Sequence, residues 1–502
     1  MYDFIIIGSG YGGIASAALL AKEGFSTLLL ESHVTIGGCA SFFKRKSFTF
    51  DVGATTLSGV LPNQPLGKFF KELNIKPNLK KLDIGMIIKL KNKDIIRYSD
   101  KNKWINEANQ KFGIEQKEFW DKIYTIESKA WNLISDNYRL PPKNLSDLIH
   151  LAKISNFRYI DLIEGLFRPL KLLLERYKLD KNKDLVDFID EQLLISTQNT
   201  SILAPYLTSA IGLAYPSETY YPYGGIYKPL ELALNYFKSK GNEIKFKEKV
   251  ISILKKDDYY EITTLKGNIY KSKGIISNIP IWNMKEICNG NIREYFTDIS
   301  DSFKKSWGAF TLYFVVKDKI DLDTSYYQIH TKSQLPYASS KSIFVSFSLD
   351  DDFEKAPKGW RTVTISTHTN VDNWENLSND EYESRKKTLE NSILEEFNYA
   401  FPELRQEEKL YIESGSPKTF KFFTGRYKGY VGGIPHTVKK SILSLPSNIT
   451  PFDNFYIVGD TVFPGQGTPA VVLGALNVVQ RIKDSEIKPI NDRNLVINNT
   501  LS

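Results

Sequence analysis

The residues that point most directly to chemistry are three glycines and a carboxylate near the N-terminus. Gly8, Gly10 and Gly13 follow one hydrophobic run, and Glu31 ends the next. In this pattern the first glycine permits a tight turn, the second lets a pyrophosphate approach the backbone, and the third lets a helix pack on a strand. A carboxylate at Glu31 accepts hydrogen bonds from ribose hydroxyls and repels a 2′-phosphate. The spacing predicts a dinucleotide site that disfavours NADP; the alternative is a plain strand–turn–helix connection.

The segment after Glu31 distinguishes between two dinucleotides. A second glycine doublet, Gly37-Gly38, falls where the chain must pass the diphosphate of an extended dinucleotide. Residues 50–54 (FDVGA) provide another close backbone approach, and no second Gly-x-Gly-x-x-Gly follows downstream. NAD enzymes have no need of the second glycine doublet, and without a second Gly-x-Gly-x-x-Gly no separate nicotinamide-binding domain is predicted. The pattern therefore predicts FAD as the cofactor.

A third motif lies near the C-terminus, in residues 458–471 (VGDTVFPGQGTPAV). Asp460 ends a predicted strand and is placed to bind a ribityl hydroxyl; the alternative is that it only caps a turn. Thr468 is predicted to be the N-cap of a helix whose first residue is Pro469, because these residue types favour those positions. The positive end of that helix would point at the flavin and favour its anionic reduced form.

Hydrophobic runs and turn residues predict the elements that carry these motifs. Residues 2–7 and 26–31 have the pattern of buried strands, and residues 14–22 that of the helix between them, which is the βαβ order. The remaining predicted elements are helical blocks between 76 and 215, strands within 244–278 and 308–370, a helix over 381–397, and a strand–turn–helix unit over 453–482. The sequence therefore predicts an α/β fold with a Rossmann-like domain.

The alternation of segments predicts two domains. The FAD-binding domain is predicted to be discontinuous, and the substrate domain to combine a mixed β-sheet with helices. The predicted segments are 1–75, 216–290 and 415–490 for the FAD-binding domain, 76–215 and 291–414 for the substrate-binding domain, and 491–502 for a flexible tail.

Composition excludes several other classes of protein. The chain has 502 residues, of which 42% are hydrophobic and 25% charged, so it is neither disordered, collagenous nor a coiled coil. A net charge of +8 is too dilute over this length to indicate nucleic-acid binding. Two cysteines, Cys39 and Cys288, cannot form a disulfide framework or a four-ligand zinc site. The five histidines are scattered, so no metal site is predicted.

Residues 151–183 combine apolar runs with an excess of basic residues. A basic amphipathic helix would lie on an anionic bilayer and could admit a lipid substrate. The alternative is a helical cap over the active site with a solvated basic face, and both can hold together. The expected location is therefore cytoplasmic or peripheral on a membrane.

Five stretches of this sequence together resemble the carotenoid desaturase and isomerase flavoproteins. Within them the resemblance is closest to cyanobacterial-type carotenoid 3′,4′-desaturases and prolycopene isomerases, and more distant to retinol saturases. The stretches are GSGYGGIASAALLAKEG, ESHVTIGGCASFFKRKSFTFDVGATTLSG, YPYGGIYKPLELAL, TGRYKGYVGGIP and VGDTVFPGQGTPAVVLGA. The resemblance implies an FAD-binding fold of the glutathione-reductase/amine-oxidase type.

The resemblance also implies which residues contact FAD. These are Gly8, Ser9, Gly10, Gly12, Gly13, Glu31, Gly38, Cys39, Ala54, Val250, Asp460, Gly467, Thr468 and Pro469. Val250 belongs to the strand whose backbone would pair with adenine. Amine-oxidase relatives commonly carry Arg where this chain has Cys39, which argues against an amine substrate; Cys39 is either a reactive thiol or a small residue beside the diphosphate. Motif position makes Tyr223, Arg426 and Tyr427 pocket candidates, and no catalytic residue is identified.

The function implied by the resemblance is desaturation of a carotenoid or related long polyene by hydride transfer to flavin N5. A proton would leave to a base or to water, and a quinone or oxygen would reoxidise the flavin. The alternatives are redox-neutral cis–trans isomerisation with reduced FAD, saturation of a double bond, and a flavin-binding, membrane-associated protein without catalysis.

Overall fold

The structure is a computed structural model that describes residues 1–142, 145–485 and 489. The predicted flexible tail over 491–502 lies outside these residues. The strands are β1 (Tyr2–Ile7), β2 (Thr27–Leu30), β3 (Phe42–Arg45), β4 (Phe48–Asp51), β5 (Leu79–Lys81), β6 (Ile84–Lys89), β7 (Asp94–Tyr98), β8 (Tyr220–Pro222), β9 (Glu243–Lys245), β10 (Val250–Lys255), β11 (Tyr260–Thr264), β12 (Ile269–Ser277), β13 (Gly308–Lys317), β14 (Tyr326–His330), β15 (Ser342–Phe347), β16 (Trp360–Thr369), β17 (Leu410–Gly415) and β18 (Phe455–Ile457).

The α-helices are distributed over the whole described chain. They are α1 (Tyr11–Lys22), α2 (Pro65–Leu73), α3 (Lys101–Phe112), α4 (Lys117–Asp136), α5 (Leu145–Leu151), α6 (Leu162–Phe167), α7 (Leu170–Arg176), α8 (Lys183–Thr197), α9 (Tyr206–Ala214), α10 (Lys228–Ser239), α11 (Ile281–Ile287), α12 (Gly290–Ser302), α13 (Asn379–Ala400), α14 (Pro417–Thr424) and α15 (Thr468–Lys483). None of the helices in the described ranges has the length and apolar character needed to cross a membrane.

The first sheet has a parallel centre, in the order β10-β11-β12-β1-β2-β9, with β18 beside β12. Ile5 of β1 pairs with Leu28 on one side and Ile275 on the other. β1 is apolar on both faces because helices cover it, which is typical of parallel sheets. α1 packs against the sheet and against α2, α10 and α15. The strands of this sheet lie within 1–75, 216–290 and 415–490; the division into domains stays a prediction.

The second sheet has the order β17-β13-β16-β15-β14-β6-β7. Its neighbouring strands are antiparallel except β14 and β6. One face is apolar and is covered by α13, where the ring of Phe314 meets Phe397 edge-on at 5.0 Å between centroids. The two sheets with their helices confirm the predicted α/β class.

Two helices differ in length from the prediction. α1 begins at Tyr11 rather than at residue 14, because Gly12 and Gly13 are already part of the helix while Gly10 remains extended as its N-cap. α13 begins at Asn379, two residues before the predicted start, because Ser378 and Glu381 form a reciprocal capping box.

The segment 151–183 is not one amphipathic helix. It forms a 3₁₀ turn, α6, α7 and the start of α8. Arg168, which precedes Pro169, has φ −114° and ψ 131° and ends α6. Helical geometry is disfavoured for this residue because the proline ring clashes with the backbone of the residue before it. Several short elements therefore replace the single amphipathic helix of the first alternative, and the second alternative, a helical cap, stays a prediction.

Candidate functional site

One continuous cavity of about 790 Å³ is lined by loops at the ends of the first sheet's strands, by the second sheet and by helices that include α4, α8 and α9. At one side it is bounded by the turn after β1 and by the loops around Gly38, Ala54 and Asp460. At the other it reaches the face of the second sheet that α13 does not cover. Residues that are far apart in the sequence therefore border one continuous space.

The glycine turn between β1 and α1 presents its backbone to this cavity. Gly8, Ser9, Gly10 and Gly12 line it. Gly10 is the N-cap of α1, and no side chain caps the helix, so first-turn amides are free to donate. Gly13 has another role: a Cβ there would lie 1.9 Å from the carbonyl oxygen of Gly8, so only glycine lets α1 pack on the turn.

Glu31 is held at the edge of the cavity by backbone and hydroxyl donors. Its Oε2 accepts hydrogen bonds from Ser9 N at 2.8 Å and Ser9 Oγ at 2.6 Å, and its Oε1 accepts one from His33 N at 2.7 Å. The side chain is only slightly exposed and borders the cavity. The carboxylate is therefore fixed where a ribose hydroxyl could reach it.

Gly38, Cys39 and Ala54 also line the cavity. Burial raises the pKa of the Cys39 thiol, although Arg426 acts in the opposite direction. A raised pKa disfavours the nucleophilic thiolate. Of the two readings of Cys39, the small uncharged wall residue fits the structure better than the reactive thiol.

Arg426 and Asp460 meet at the cavity wall, which the sequence did not predict. Nη2 of Arg426 donates to Oδ1 of Asp460 at 3.0 Å and to Oδ2 at 2.7 Å. The two side chains are 12% and 19% exposed. Asp460 is thereby kept as an oriented carboxylate beside the loop that leads into α15.

The predicted cap of the last helix is wrong by one residue. Gly467, with φ +95°, is the N-cap of α15, and Thr468 and Pro469 lie in its first turn. The left-handed backbone at this point favours glycine over threonine. All three residues still line the cavity.

Four candidates from the sequence do not line the cavity: Gly13, which lets α1 pack on the turn, and Val250, Tyr223 and Tyr427. Val250 is buried in β10 and is not among the lining residues. The Tyr223 hydroxyl donates to Asp351 at 2.9 Å, and Tyr427 also lies outside the lining set.

Sequence reasoning missed several titratable residues of the cavity, among them Glu127, Glu218 and His436. Glu127 on α4 and Glu218 line it with Trp131. Burial, reinforced by the charge of Glu218, raises the pKa of Glu127 to about 7 against an opposing hydrogen bond with Trp131. His436 also lines the cavity, and burial lowers its pKa to about 4. No local motif marks these positions, so the sequence offered no signal for them.

Within the part of the chain that the structure describes, no group of three or more His, Cys, Asp or Glu side chains is arranged to hold a metal ion.

Comparison with known proteins shows what this chain is similar to. The family model of the NAD(P)-binding Rossmann-like domain matches residues 6–73. The chain is 28% identical to prolycopene isomerase 2 of an Oncidium hybrid cultivar, over 96% of this chain and 84% of the relative. It is 23% identical to a 1-hydroxycarotenoid 3,4-desaturase of Flavobacterium, over 95% of this chain and 98% of the relative. It is 22% identical to an all-trans-retinol 13,14-reductase of Danio rerio, over 94% of this chain and 85% of the relative.

Solved structures share the fold. An oxidoreductase from Methanosarcina mazei has a TM-score of 0.64 at 19% identity, covering 95% of this chain and 99% of its own. A putrescine oxidase has a TM-score of 0.61 at 13% identity, covering 96% and 98%. These likenesses confirm the predicted Rossmann-like, amine-oxidase-type architecture.

Fold and site together define an oxidoreductase built on a flavoenzyme fold. Over almost its full length the chain is similar to members of the carotenoid desaturase/isomerase superfamily, and the resemblance seen in the sequence is confirmed.

Proposed function

We propose that this chain is an FAD-dependent oxidoreductase that desaturates a carotenoid or a related long polyene. The observation that carries the proposal is the continuous cavity, which joins the glycine turn after β1 to an open region beneath the second sheet. A dinucleotide and a long substrate could therefore share one space. The carotenoid desaturase and prolycopene isomerase relatives support the substrate class.

The residues of the cradle suit FAD. An added Cβ at Gly38 would meet no protein atom nearer than Gly10 Cα at 3.9 Å, and one at Gly467 none nearer than Pro469 Cδ at 3.8 Å. Both glycines line the cavity, so there is room beside their backbones for a ligand. The amides at the start of α1 would hold the pyrophosphate, and Glu31 would bind the adenosine ribose.

The flavin end would be held by the opposite wall. Asp460, oriented by Arg426, would accept a hydrogen bond from a ribityl hydroxyl, and the first turn of α15 would place its positive end near the ring. Bound FAD would supply the hydride acceptor, and a quinone or oxygen would take up the electrons. The protein's own part is to position the polyene and to exclude water.

Cis–trans isomerisation without net redox change is the second candidate. It is favoured by the prolycopene isomerases among the relatives, which match 96% of this chain. Saturation of a double bond is supported by the retinol reductase relatives. The fold alone does not separate these outcomes, because each could use the same cofactor and cavity.

One experiment separates the candidates. Purified holoprotein is incubated anaerobically with a carotenoid and a quinone, or with the flavin pre-reduced, and the product is analysed by chromatography and mass spectrometry. Loss of two hydrogens is the expected result. An unchanged mass with a shifted retention time would favour isomerisation, and a gain of two hydrogens would favour reduction. Bound flavin with no product from any carotenoid would favour a non-catalytic protein.

We also propose that the protein contacts a membrane surface through an exposed apolar surface. This surface comprises Leu145, Leu148, Ile149, Phe157, Ile160, Ile163, Phe167, Ile202 and Leu203. The amides of Leu170 and Lys171 donate backbone hydrogen bonds to the carbonyls of Ala204 and Ser201. These bonds hold Ile202 and Leu203 beside the chain that follows Phe167. Ile195, which is 42% exposed, also lines the cavity. An apolar substrate could therefore enter from lipid without crossing water.

A further inference from the structure

The cavity side of the second sheet differs in chemistry from its other side. Side chains alternate along each strand, and the residues under α13 are apolar: Phe310, Leu312, Phe314, Ile343, Val345, Val363 and Ile365. The alternate positions that line the cavity include Thr311, Ser342, Ser366 and His368. If the substrate region beneath this sheet received only hydrocarbon, hydroxyl and imidazole groups along its wall would be left without hydrogen-bond partners.

These polar side chains lie on neighbouring strands. The register of β13 with β16 sets Thr311 opposite Ser366, and Ala309 opposite His368. Ser366 and His368 are two residues apart on β16 and so point to the same side of the sheet. The polar groups therefore form one local patch, which we call the polar wall (Thr311, Ser342, Ser366 and His368).

Two members of the polar wall already have hydrogen-bond partners. Ser342 Oγ donates to Glu191 Oε2 at 2.7 Å and accepts from Gln328 Nε2 at 3.0 Å. Thr311 Oγ1 donates to Gly415 O at 3.4 Å. Glu191, which also accepts from Ser340 Oγ at 2.5 Å, is buried behind these hydroxyls.

The other two members have no hydrogen-bond partner among the described residues. Ser366 and His368 line the cavity, and the His368 imidazole meets the Trp307 ring edge-on at 6.2 Å between centroids. Burial lowers the pKa of His368, although Glu191 opposes this effect. A neutral imidazole has one donor and one acceptor nitrogen. Together with the Ser366 hydroxyl, the His368 imidazole can therefore bind a group that both donates and accepts hydrogen bonds.

We propose that the polar wall binds an uncharged polar group, a hydroxyl or a carbonyl, at one end of an otherwise apolar polyene. The proposal rests on the proposed function and narrows its substrate class. A hydrocarbon end placed here would leave Ser366 and His368 buried without partners, which is costly. A carboxylate end is disfavoured because the Glu191 carboxylate lies behind the wall.

The test compares three polyenes of equal length with the purified holoprotein. One ends in a hydrocarbon group, one in a hydroxyl and one in a carboxylate. Dissociation constants are measured by quenching of protein fluorescence, so that a preference is visible without turnover, and kcat/KM is measured in parallel. The hydroxylated polyene is expected to bind about tenfold more tightly than the hydrocarbon, from the cost of unsatisfied polar groups.

Substitutions in β16 test whether Ser366 and His368 cause the preference for the hydroxylated polyene. Ser366→Ala combined with His368→Phe is expected to abolish the preference for the hydroxyl and to leave hydrocarbon binding unchanged or stronger. Thr364→Ala is the control, because Thr364 lies on the same side of β16 but outside the cavity lining. If the double variant does not fold, Ser366→Ala alone is expected to show a smaller loss in the same direction.

The failures of the two proposals are distinguishable. Three results would overturn the proposal for the polar wall. The unmodified protein could bind the hydrocarbon and the hydroxylated polyene equally, or it could bind the carboxylate most tightly. The double variant could also lose affinity equally for all three polyenes. A protein that holds its flavin but binds none of the three would overturn the proposed substrate class itself, and the polar wall with it.

Discussion

Arg426 donates hydrogen bonds to both carboxylate oxygens of Asp460, at 3.0 and 2.7 Å. Both side chains line the cavity, and both are largely buried. A buried carboxylate needs such a partner, because an unpaired charge away from water is costly. The pair therefore sets the orientation of the residue that is proposed to bind the ribityl chain.

Arg426→Ala is expected to weaken both cofactor binding and the fold. Removing one partner of a buried ion pair costs about 3 kcal/mol of unfolding free energy, and Asp460 would lose its orientation. Urea titration and the ratio of flavin to protein absorbance measure the two effects. Lys117→Ala is the control, since its i,i+4 pair with Asp121 is exposed and contributes about 0.5 kcal/mol at most. Equal losses in both variants would contradict the prediction.

Glu31→Ala is expected to weaken FAD binding about tenfold or more. The change removes the acceptor that fixes Ser9 and that would bind the ribose, and hydrogen bonds to a charged group contribute about 1.5–3 kcal/mol each. Reconstitution of apoprotein with FAD, followed by fluorescence, measures the dissociation constant. Glu23→Ala removes a carboxylate that pairs with Lys483 outside the cavity and should leave the constant unchanged.

Glu127→Gln is expected to change how stability depends on pH. The pKa of Glu127 is raised from 4.5 to about 7, so the native state keeps a proton that the unfolded state has lost. Between these two pKa values the contribution of Glu127 to the free energy of unfolding becomes less favourable as the pH rises. Glutamine does not titrate. The Tm of the variant should therefore rise relative to that of the unmodified protein as the pH is raised from about 5 to about 8.

The control for this pH experiment is Asn132→Gln, which alters an exposed, non-titrating side chain on the same helix, α4. Its difference in Tm from the unmodified protein should stay constant over the same interval. A Tm difference for Glu127→Gln that does not change with pH would show that Glu127 is ionised normally.

The exposed apolar surface predicts binding to lipid. Phe157, Ile160 and Phe167 are 64%, 62% and 59% exposed, and changing all three to Ser should lower co-sedimentation with anionic phosphatidylglycerol vesicles at least about tenfold, because their insertion is lost. The matched control changes three residues of similar exposure elsewhere to Ser, namely Leu265, Ile269 and Phe353. Similar loss in both triple variants, or no vesicle binding by the unmodified protein, would contradict the prediction.

Local signals accounted for much of the fold. The run from β1 through the turn to α1 and β2 was predictable because a strand, glycines at fixed spacing and a helix are each encoded by neighbouring residues. The helix cap at α15 was misplaced by one residue, because Gly467 and Thr468 are both acceptable caps and only the backbone angle of Gly467 separates them. The 151–183 segment forms several short helices rather than one amphipathic helix, and Pro169 accounts for the end of α6; the alternative of a helical cap stays a prediction.

The sequence by itself determined the dinucleotide motif, the α/β class and the resemblance to the carotenoid desaturases and isomerases, because these depend on short-range spacing. Only the tertiary structure decided that Arg426 pairs with Asp460, that Glu127 lies near Glu218, and which side of the second sheet faces the cavity. Alternation along a strand shows that two faces differ, but the position of α13 decides which face is covered. Such contacts join residues distant in the chain, and no local pattern encodes them.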